Sequence, residues 1–158
     1  MIACLRLLSA LCLAALLAAC ASSPSSSLGE LPRTPDASIE QLLEQATNAK
    51  TPEKAALLRL SAADLAYQQN NPGRSSQILA QVPLDALKPA AQVFASTLAA
   101  ELAMGRNQPK AALAALNHPS LQSLKELPTD QQIRTGTVHA RAYEADGQTL
   151  AAARERVT

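Results

Sequence analysis

Apolar residues recur at three- and four-residue steps from residue 38 onward, which is the spacing of one face of an α-helix. Two such stripes are Ala55, Leu58, Ala62 and Leu65, and Phe94, Leu98 and Leu102. Ala, Leu, Gln, Glu, Lys and Arg dominate this part of the chain, and all are good helix formers. No stretch combines alternating polarity with β-branched residues, so the pattern predicts an all-α fold.

Prolines and turn residues divide this region into helix-sized segments. Thr51-Pro52, for example, combines an N-cap residue with a proline at the first helical position. The breaks predict helices over residues 38–49, 52–69, 73–81, 89–105, 109–117, 119–125 and 129–145, and a further helix from residue 149 onward.

Three segments of the helical region align without gaps, at residues 63–79, 100–116 and 140–156. Each begins with an alanine, has a residue that tolerates left-handed backbone seven positions later, and has a small residue five positions beyond that. These sets are Ala63, Ala100 and Ala140; Asn70, Asn107 and Gly147; and Ser75, Ala112 and Ala152. Leu79 and Leu116 end the first two copies, whereas Arg156 ends the third.

This repeat predicts stacked helical hairpins. Small residues at fixed places let two helices approach closely, and a short turn makes the helices antiparallel. One pair cannot bury its own apolar stripe, so successive pairs must stack. The pattern is similar to the tetratricopeptide repeat (TPR) and its relatives, which implies a right-handed α-solenoid. A plain bundle of alanine-rich helices is the alternative, because the large aromatic residues usual in that repeat are mostly missing.

The N-terminus has the character of an export signal. Arg6 is the only charge in residues 1–28, and residues 7–19 are small or apolar apart from Ser9. A run of about 13 such residues is too short to span a bilayer as a helix, which needs about 20, but it fits a secretory signal peptide. An ordinary signal peptide with a chance cysteine near the cut is one interpretation of this region.

The sequence Leu17-Ala18-Ala19-Cys20 favours a second interpretation, because it resembles the lipobox of bacterial lipoproteins. That resemblance implies cleavage before Cys20, transfer of diacylglycerol to its sulfur and acylation, typically with palmitate, of the freed amine. A cysteine suits this position because its thiolate is a good nucleophile toward the lipid donor.

Together these signals predict three parts: a signal peptide at residues 1–19, the lipidated Cys20 with a Ser/Pro-rich tether at 20–36, and a TPR-like helical domain at 37–158. The 16 residues of 21–36 span at most about 55 Å. Cys4 and Cys12 would leave with the signal peptide, so no disulfide is expected. The chain stops at Thr158 inside a helical pattern without a capping signal, and we expect the helical domain to be truncated there.

Composition gives no support for nucleic-acid binding or catalysis. Without Arg6, 13 basic residues balance 13 acidic ones, and three aromatic residues are spread along the chain. Nucleic-acid binding would need a basic patch and stacking side chains. His118 and His139 are the only histidines, and their spacing offers no metal site. There is also no phosphate-binding glycine loop or nucleophile elbow, so we predict no catalytic residue, cofactor or metal.

A concave face is nevertheless expected along the first helix of each pair. Positions one and four after each repeat alanine should lie on it and form a candidate groove for a partner protein or peptide. The six residues are Asp64, Tyr67, Glu101, Met104, Arg141 and Glu144. The alternative is that these side chains are merely exposed to solvent.

Several strings carry a closer resemblance to a known family. They are Leu98-Ala99-Ala100-Glu101-Leu102-Ala103, Gln108-Pro109-Lys110-Ala111-Ala112-Leu113, Ala142-Tyr143-Glu144-Ala145-Asp146-Gly147, and Leu150-Ala151-Ala152-Ala153-Arg154-Glu155-Arg156-Val157. With the lipobox and tether, they resemble the N-terminal domain of penicillin-binding protein activators of the LpoA type, the LppC lipoprotein family.

This resemblance implies a lipoprotein anchored in the outer membrane on its periplasmic side. It also implies an enzyme regulator in cell-wall biogenesis and cell shape, which activates a class A penicillin-binding protein, a glycosyltransferase and transpeptidase of peptidoglycan synthesis. Only Cys20 is carried over from the family, as the acylated position, and no catalytic residue is. The alternative function is a helical-repeat scaffold lipoprotein of outer-membrane protein assembly.

Overall fold

The computed structural model describes residues 27–32 and 36–156. The predicted signal peptide, the lipobox residues Leu17, Ala18 and Ala19, and Cys20 lie outside the described residues, as do residues 157–158.

The described ranges contain seven α-helices, two short 3-10 segments and no strand. The helices are α1 (Ile39–Thr47), α2 (Pro52–Gln68), α3 (Pro72–Leu79), α4 (Pro89–Gly105), α5 (Pro109–Ala115), α6 (Thr129–Ala145) and α7 (Thr149–Glu155). The 3-10 segments are Leu84–Ala86 and Pro119–Glu126. The predicted all-α fold is confirmed, and most of the predicted helices agree with the observed bounds to within two residues.

The α-helix predicted over residues 119–125 is wrong, because this segment is a 3-10 helix over Pro119–Glu126. Its backbone bonds span three residues, as in the bond from the Leu121 amide to the His118 carbonyl. The segment lies between two prolines, and Leu127, just before Pro128, is extended. His118, just before Pro119, is extended too, so the two prolines set the ends of this segment.

Each long helix turns into the next short one through the same backbone motif. Asn70, Asn107 and Gly147 have φ angles of 59°, 56° and 79°. The amide of the following residue then donates to a carbonyl five positions earlier, at Ala66, Ala103 and Tyr143 respectively. This is the Schellman motif, which satisfies the last carbonyls of a helix and reverses the chain. The predicted left-handed turns are confirmed, and α3, α5 and α7 pack back on α2, α4 and α6.

The small residues of the repeat lie inside the fold. Ala63, Ala100, Ala140, Ser75, Ala112 and Ala152 are all at most 3% exposed. Leu60, Val93 and Leu98 are fully buried between them. Helix α4 packs on helices of both its neighbours, α3 and α6, so the predicted stacking of hairpins is confirmed.

Residues 27–32, which we call the N-terminal strap, pack against this helical domain. The Leu28 carbonyl accepts a hydrogen bond from the Ala90 amide at 2.9 Å. Leu28 and Leu31 contact a buried cluster of Ala90, Val93 and Leu127. The strap falls within the segment that the sequence assigned to the tether. Within residues 27–32 and 36–156, no helix is long and apolar enough to cross a membrane.

Candidate functional site

A three-helix ion cluster lies where the long helices α2, α4 and α6 converge. Arg134 of α6 places Nε at 2.9 Å from Glu101 Oε1 and Nη2 at 2.6 Å from Glu101 Oε2. The same Nη2 lies 2.9 Å from Oδ1 of Asp64 on α2. One guanidinium therefore holds a bidentate carboxylate from one helix and a second carboxylate from another.

The cluster is largely removed from water. The side chains of Asp64, Glu101 and Arg134 are 12%, 16% and 27% exposed. Burial lowers the pKa of Arg134, but hydrogen bonding and charge from Glu101 and then Asp64 raise it by more, so the net shift is upward. The guanidinium carbon also lies 4.7 Å from the ring centre of Phe94, a cation–π contact. Arg134 thus stays charged, and its main donors are committed within the protein.

An open groove of about 700 Å³ lies beside this cluster. It is lined by Tyr67, Gln68, Asn70, Pro72, Glu101, Gly105 and Arg134. Burial, and then the negative charge of Glu101, raise the pKa of Tyr67, so its hydroxyl remains protonated and can donate a hydrogen bond. Amide, hydroxyl and carboxylate groups around an aromatic ring suit the recognition of a polar segment of another molecule.

Two buried threonines fix α4 against α6 next to this site. Thr97 Oγ1 and Thr135 Oγ1 lie 2.8 Å apart, so one hydroxyl donates to the other, and the accepting hydroxyl donates to a carbonyl of its own helix, at Val93 or Gln131. Both side chains are fully buried. Because Thr135 directly follows Arg134, this contact sets the position of the guanidinium relative to Glu101.

The structure brings together only part of the candidate groove. Tyr67 and Glu101 line it, and Asp64 joins through Arg134. Met104 is half-buried and packs against the core around Ala103 and Ala112 instead. Arg141 is exposed, and its charge acts on Tyr67. Glu144 is exposed, pairs with Arg156 and is not among the residues that line the groove.

Arg134 is the residue that sequence reasoning missed. It lies six positions before the repeat alanine Ala140, outside the aligned part of the third copy. Counting back six positions from Ala100 gives Phe94, the ring that Arg134 covers. Extending the repeat by six positions would have placed Leu57, Phe94 and Arg134 in one column, with an aromatic residue and a cation in successive copies.

Both histidines make contacts with neighbouring side chains. His118 Nδ1 lies 2.7 Å from the Ser120 hydroxyl and also accepts a hydrogen bond from the Ser120 backbone amide at 3.2 Å. The His139 ring stacks on Tyr143 with centroids 4.6 Å apart, and its Nδ1 lies 3.4 Å from Glu155 Oε2. Across the described ranges, no group of three or more His, Cys, Asp or Glu side chains could hold a metal ion.

Comparisons with known proteins found a matching family and a solved structure with a similar fold. A family model described as "LppC putative lipoprotein" matches residues 32–158. Among solved structures, that of Haemophilus influenzae LpoA is similar, with a TM-score of 0.52 and 18% sequence identity. The alignment covers 80% of this chain and 22% of that one, so this chain spans about a fifth of the length of that protein. The likeness shows the TPR-like helical fold. A search of curated protein sequences found no match.

Proposed function

Because this chain belongs to the LppC lipoprotein family, with a match over residues 32–158, we propose that it takes part in regulating peptidoglycan synthesis. In this proposal it belongs to an outer-membrane lipoprotein that faces the periplasm and activates a class A penicillin-binding protein. The family match is the observation that carries the proposal. The protein acts as a regulator, so its residues bind and orient a partner and catalyse no reaction themselves.

The proposed anchor is Cys20, preceded by the lipobox Leu17-Ala18-Ala19. A single acyl chain holds a protein to a membrane only marginally, since each buried methylene contributes about 0.8 kcal/mol, whereas several chains together hold it stably. An anchored regulator meets its partner at a high effective concentration set by the length of its tether. Activation is then a shift of the synthase toward its working conformation, driven by tighter binding to that conformation.

Processing of the precursor tests the anchor. Globomycin, which blocks the lipoprotein signal peptidase, should cause the unprocessed precursor to accumulate. Mass spectrometry of the mature protein should find diacylglycerol and an amide-linked acyl group on Cys20, and Cys20→Ala should abolish both. Unchanged processing in globomycin, or a mature chain without fatty acid, would rule out the lipoprotein route.

The proposed partner surface is the groove beside the ion cluster. Tyr67 offers an aromatic face and a hydroxyl, Glu101 offers a carboxylate edge, and exposed Arg141 lies close enough for its charge to act on Tyr67. Surfaces that combine tyrosine and arginine commonly supply the strongest contacts of protein interfaces. The carboxylate, amide and guanidinium groups that line the groove beside Tyr67 suit a solvent-exposed segment of the synthase with polar side chains.

The rate of the synthase tests the function directly. The full-length gene product, added to the purified class A synthase, should raise the rate of peptidoglycan polymerisation or cross-linking. Tyr67→Ala should weaken this stimulation roughly 10-fold or more, as expected for an interface hot spot. Tyr143→Ala, which removes a half-buried tyrosine packed on His139, is the matched control and should leave the stimulation unchanged. Equal stimulation by both variants would remove the groove from the mechanism.

A genetic test separates this function from the scaffold alternative. Deletion of the full-length gene should be lethal when a second, parallel cell-wall synthase is also lost. Normal growth of that double mutant would contradict the proposal. Reduced levels of outer-membrane proteins in the single deletion, with normal peptidoglycan cross-linking, would favour a scaffold of outer-membrane protein assembly.

A further inference from the structure

The N-terminal strap supplies a cap that α4 lacks. Lys88 is the N-cap residue of α4, and its side chain makes no capping hydrogen bond. The first amides of a helix have no partner within the helix and need one from elsewhere. The Leu28 carbonyl provides it, accepting from the Ala90 amide at 2.9 Å. The strap backbone therefore takes the place of a capping side chain for α4, the most buried of the three 17-residue helices.

Gly29 is required at the point of closest approach between strap and helix. Its φ angle is +84°, a conformation that side chains with a Cβ rarely adopt. A Cβ built on Gly29 would lie 2.2 Å from Cβ and 2.6 Å from Cγ of Lys88, well inside contact distance. Two independent features, the backbone conformation and the space, thus exclude a side chain here. The fit is specific to this short segment.

Apolar contacts extend the docking across two hairpins. Leu28 and Leu31 pack on the cluster of Ala90, Val93 and Leu127, between α4 and the end of the 3-10 segment Pro119–Glu126. Leu31 also packs on the larger core that includes Leu42 of α1 and Leu60 of α2. With Pro32 it lines a cavity of about 280 Å³ beside Leu57 and Leu58 of α2. The strap therefore joins the first helices of the domain to α4.

We propose that the N-terminal strap is a clamp that sets the distance between the helical domain and its lipid anchor. The proposal rests on acylation of Cys20, as proposed above. Residues 20 and 27 are seven positions apart, so with the strap docked the domain lies within about 25 Å of the acylated residue. With the strap released, the chain is free up to Ile39, nineteen positions away, and reaches about 65 Å. Docking and release of the strap thus set two different maximum distances between Cys20 and the helical domain.

Energy transfer to a bilayer measures this distance. For this measurement a donor dye is attached at Ala153→Cys, an exposed position of α7. The mature acylated protein is then bound to supported bilayers whose lipid headgroups carry an acceptor dye. Gly29→Ala should undock the strap and increase the mean separation by about 10 Å, as expected for flexible chains of these two lengths. Gly105→Ala is the matched control, because nothing lies within 4 Å of a Cβ at that position, and it should leave the separation unchanged. Equal separations in wild type and Gly29→Ala would overturn the proposal.

Hydrogen exchange tests docking without any lipid. In unlipidated Cys20→Ser protein, the Ala90 amide should be protected, and Gly29→Ala should accelerate its exchange at least 10-fold with the far-ultraviolet circular dichroism unchanged. Leu31→Ser adds no backbone strain, so it gives the same answer if Gly29→Ala does not fold. Unchanged exchange at Ala90 in a folded variant refutes strap docking even if Cys20 is acylated. Faster exchange together with absent acylation supports docking and refutes only the anchor.

Discussion

Replacement of Arg134 by methionine is the most direct perturbation of the ion cluster. Methionine keeps an unbranched apolar side chain over Phe94 but removes all three hydrogen bonds to Asp64 and Glu101. Two carboxylates from different helices then remain in a largely buried site with no cation between them. The variant tests whether this cluster holds the hairpins together.

The expected loss follows from the burial of the two carboxylates. Removing one partner of a fully buried ion pair costs about 3–5 kcal/mol, because a charge is left desolvated and unpaired. Asp64 and Glu101 keep 12% and 16% of their side-chain exposure, so water compensates in part. We therefore expect Arg134→Met to lower the free energy of unfolding by about 2–4 kcal/mol. In a domain of this size such a loss lowers the Tm by roughly 10 °C.

Urea unfolding followed by circular dichroism measures the free energy of unfolding. Arg141→Met is the matched control on the same helix, because Arg141 is exposed, and it should change stability by less than about 0.5 kcal/mol. A loss below about 1 kcal/mol at neutral pH, or an equal loss in Arg141→Met, would refute this reasoning.

Three further substitutions test the repeat, each by the free energy of unfolding in urea. Ser75→Ala should stabilise the protein by about 1 kcal/mol, because the fully buried Ser75 hydroxyl has no hydrogen-bond partner among the described residues and the other two copies have alanine there; destabilisation would contradict this. Asn107→Ala should cost about 1 kcal/mol because of the φ angle of 56°, whereas Asn107→Gly should cost nothing; equal losses would show that the side chain matters instead. Thr135→Val should lower the free energy of unfolding by about 1–2 kcal/mol, because it removes the hydrogen bond between the Thr97 and Thr135 hydroxyls. A second change, Thr97→Val, should then add little, and full additivity of the two losses would argue against their coupling.

Features set by neighbouring residues could be predicted from the sequence. The left-handed turns at Asn70, Asn107 and Gly147 depend on the conformational preference of one residue at a fixed place in the repeat. The buried alanine columns follow from the same periodicity. The 3-10 form of Pro119–Glu126 was missed because residue propensities indicate a helix without distinguishing a 3-10 helix from an α-helix, and the prolines at positions 119 and 128 mark only its ends.

Contacts between distant parts of the chain escaped sequence reasoning for a different reason. Arg134 pairs with carboxylates 33 and 70 positions away, and no local pattern specifies which cation will lie between two acidic residues on stacked helices. The docked strap was hidden by composition, since Leu28, Gly29 and Leu31 follow a serine-rich run that is typical of a tether. Leu28 and Leu31 are isolated apolar residues in the sequence. The surface that buries them and the Ala90 amide that bonds to the strap both belong to α4, which is distant along the chain. In a repeat protein the hairpins can be identified one at a time, but the contacts that join hairpins to each other and to a tether depend on the assembled stack. Both the candidate groove and the proposed clamp lie at such junctions. Tyr67 and Glu101 of the groove followed from the repeat, but Arg134 and the strap residues had to be identified from the structure.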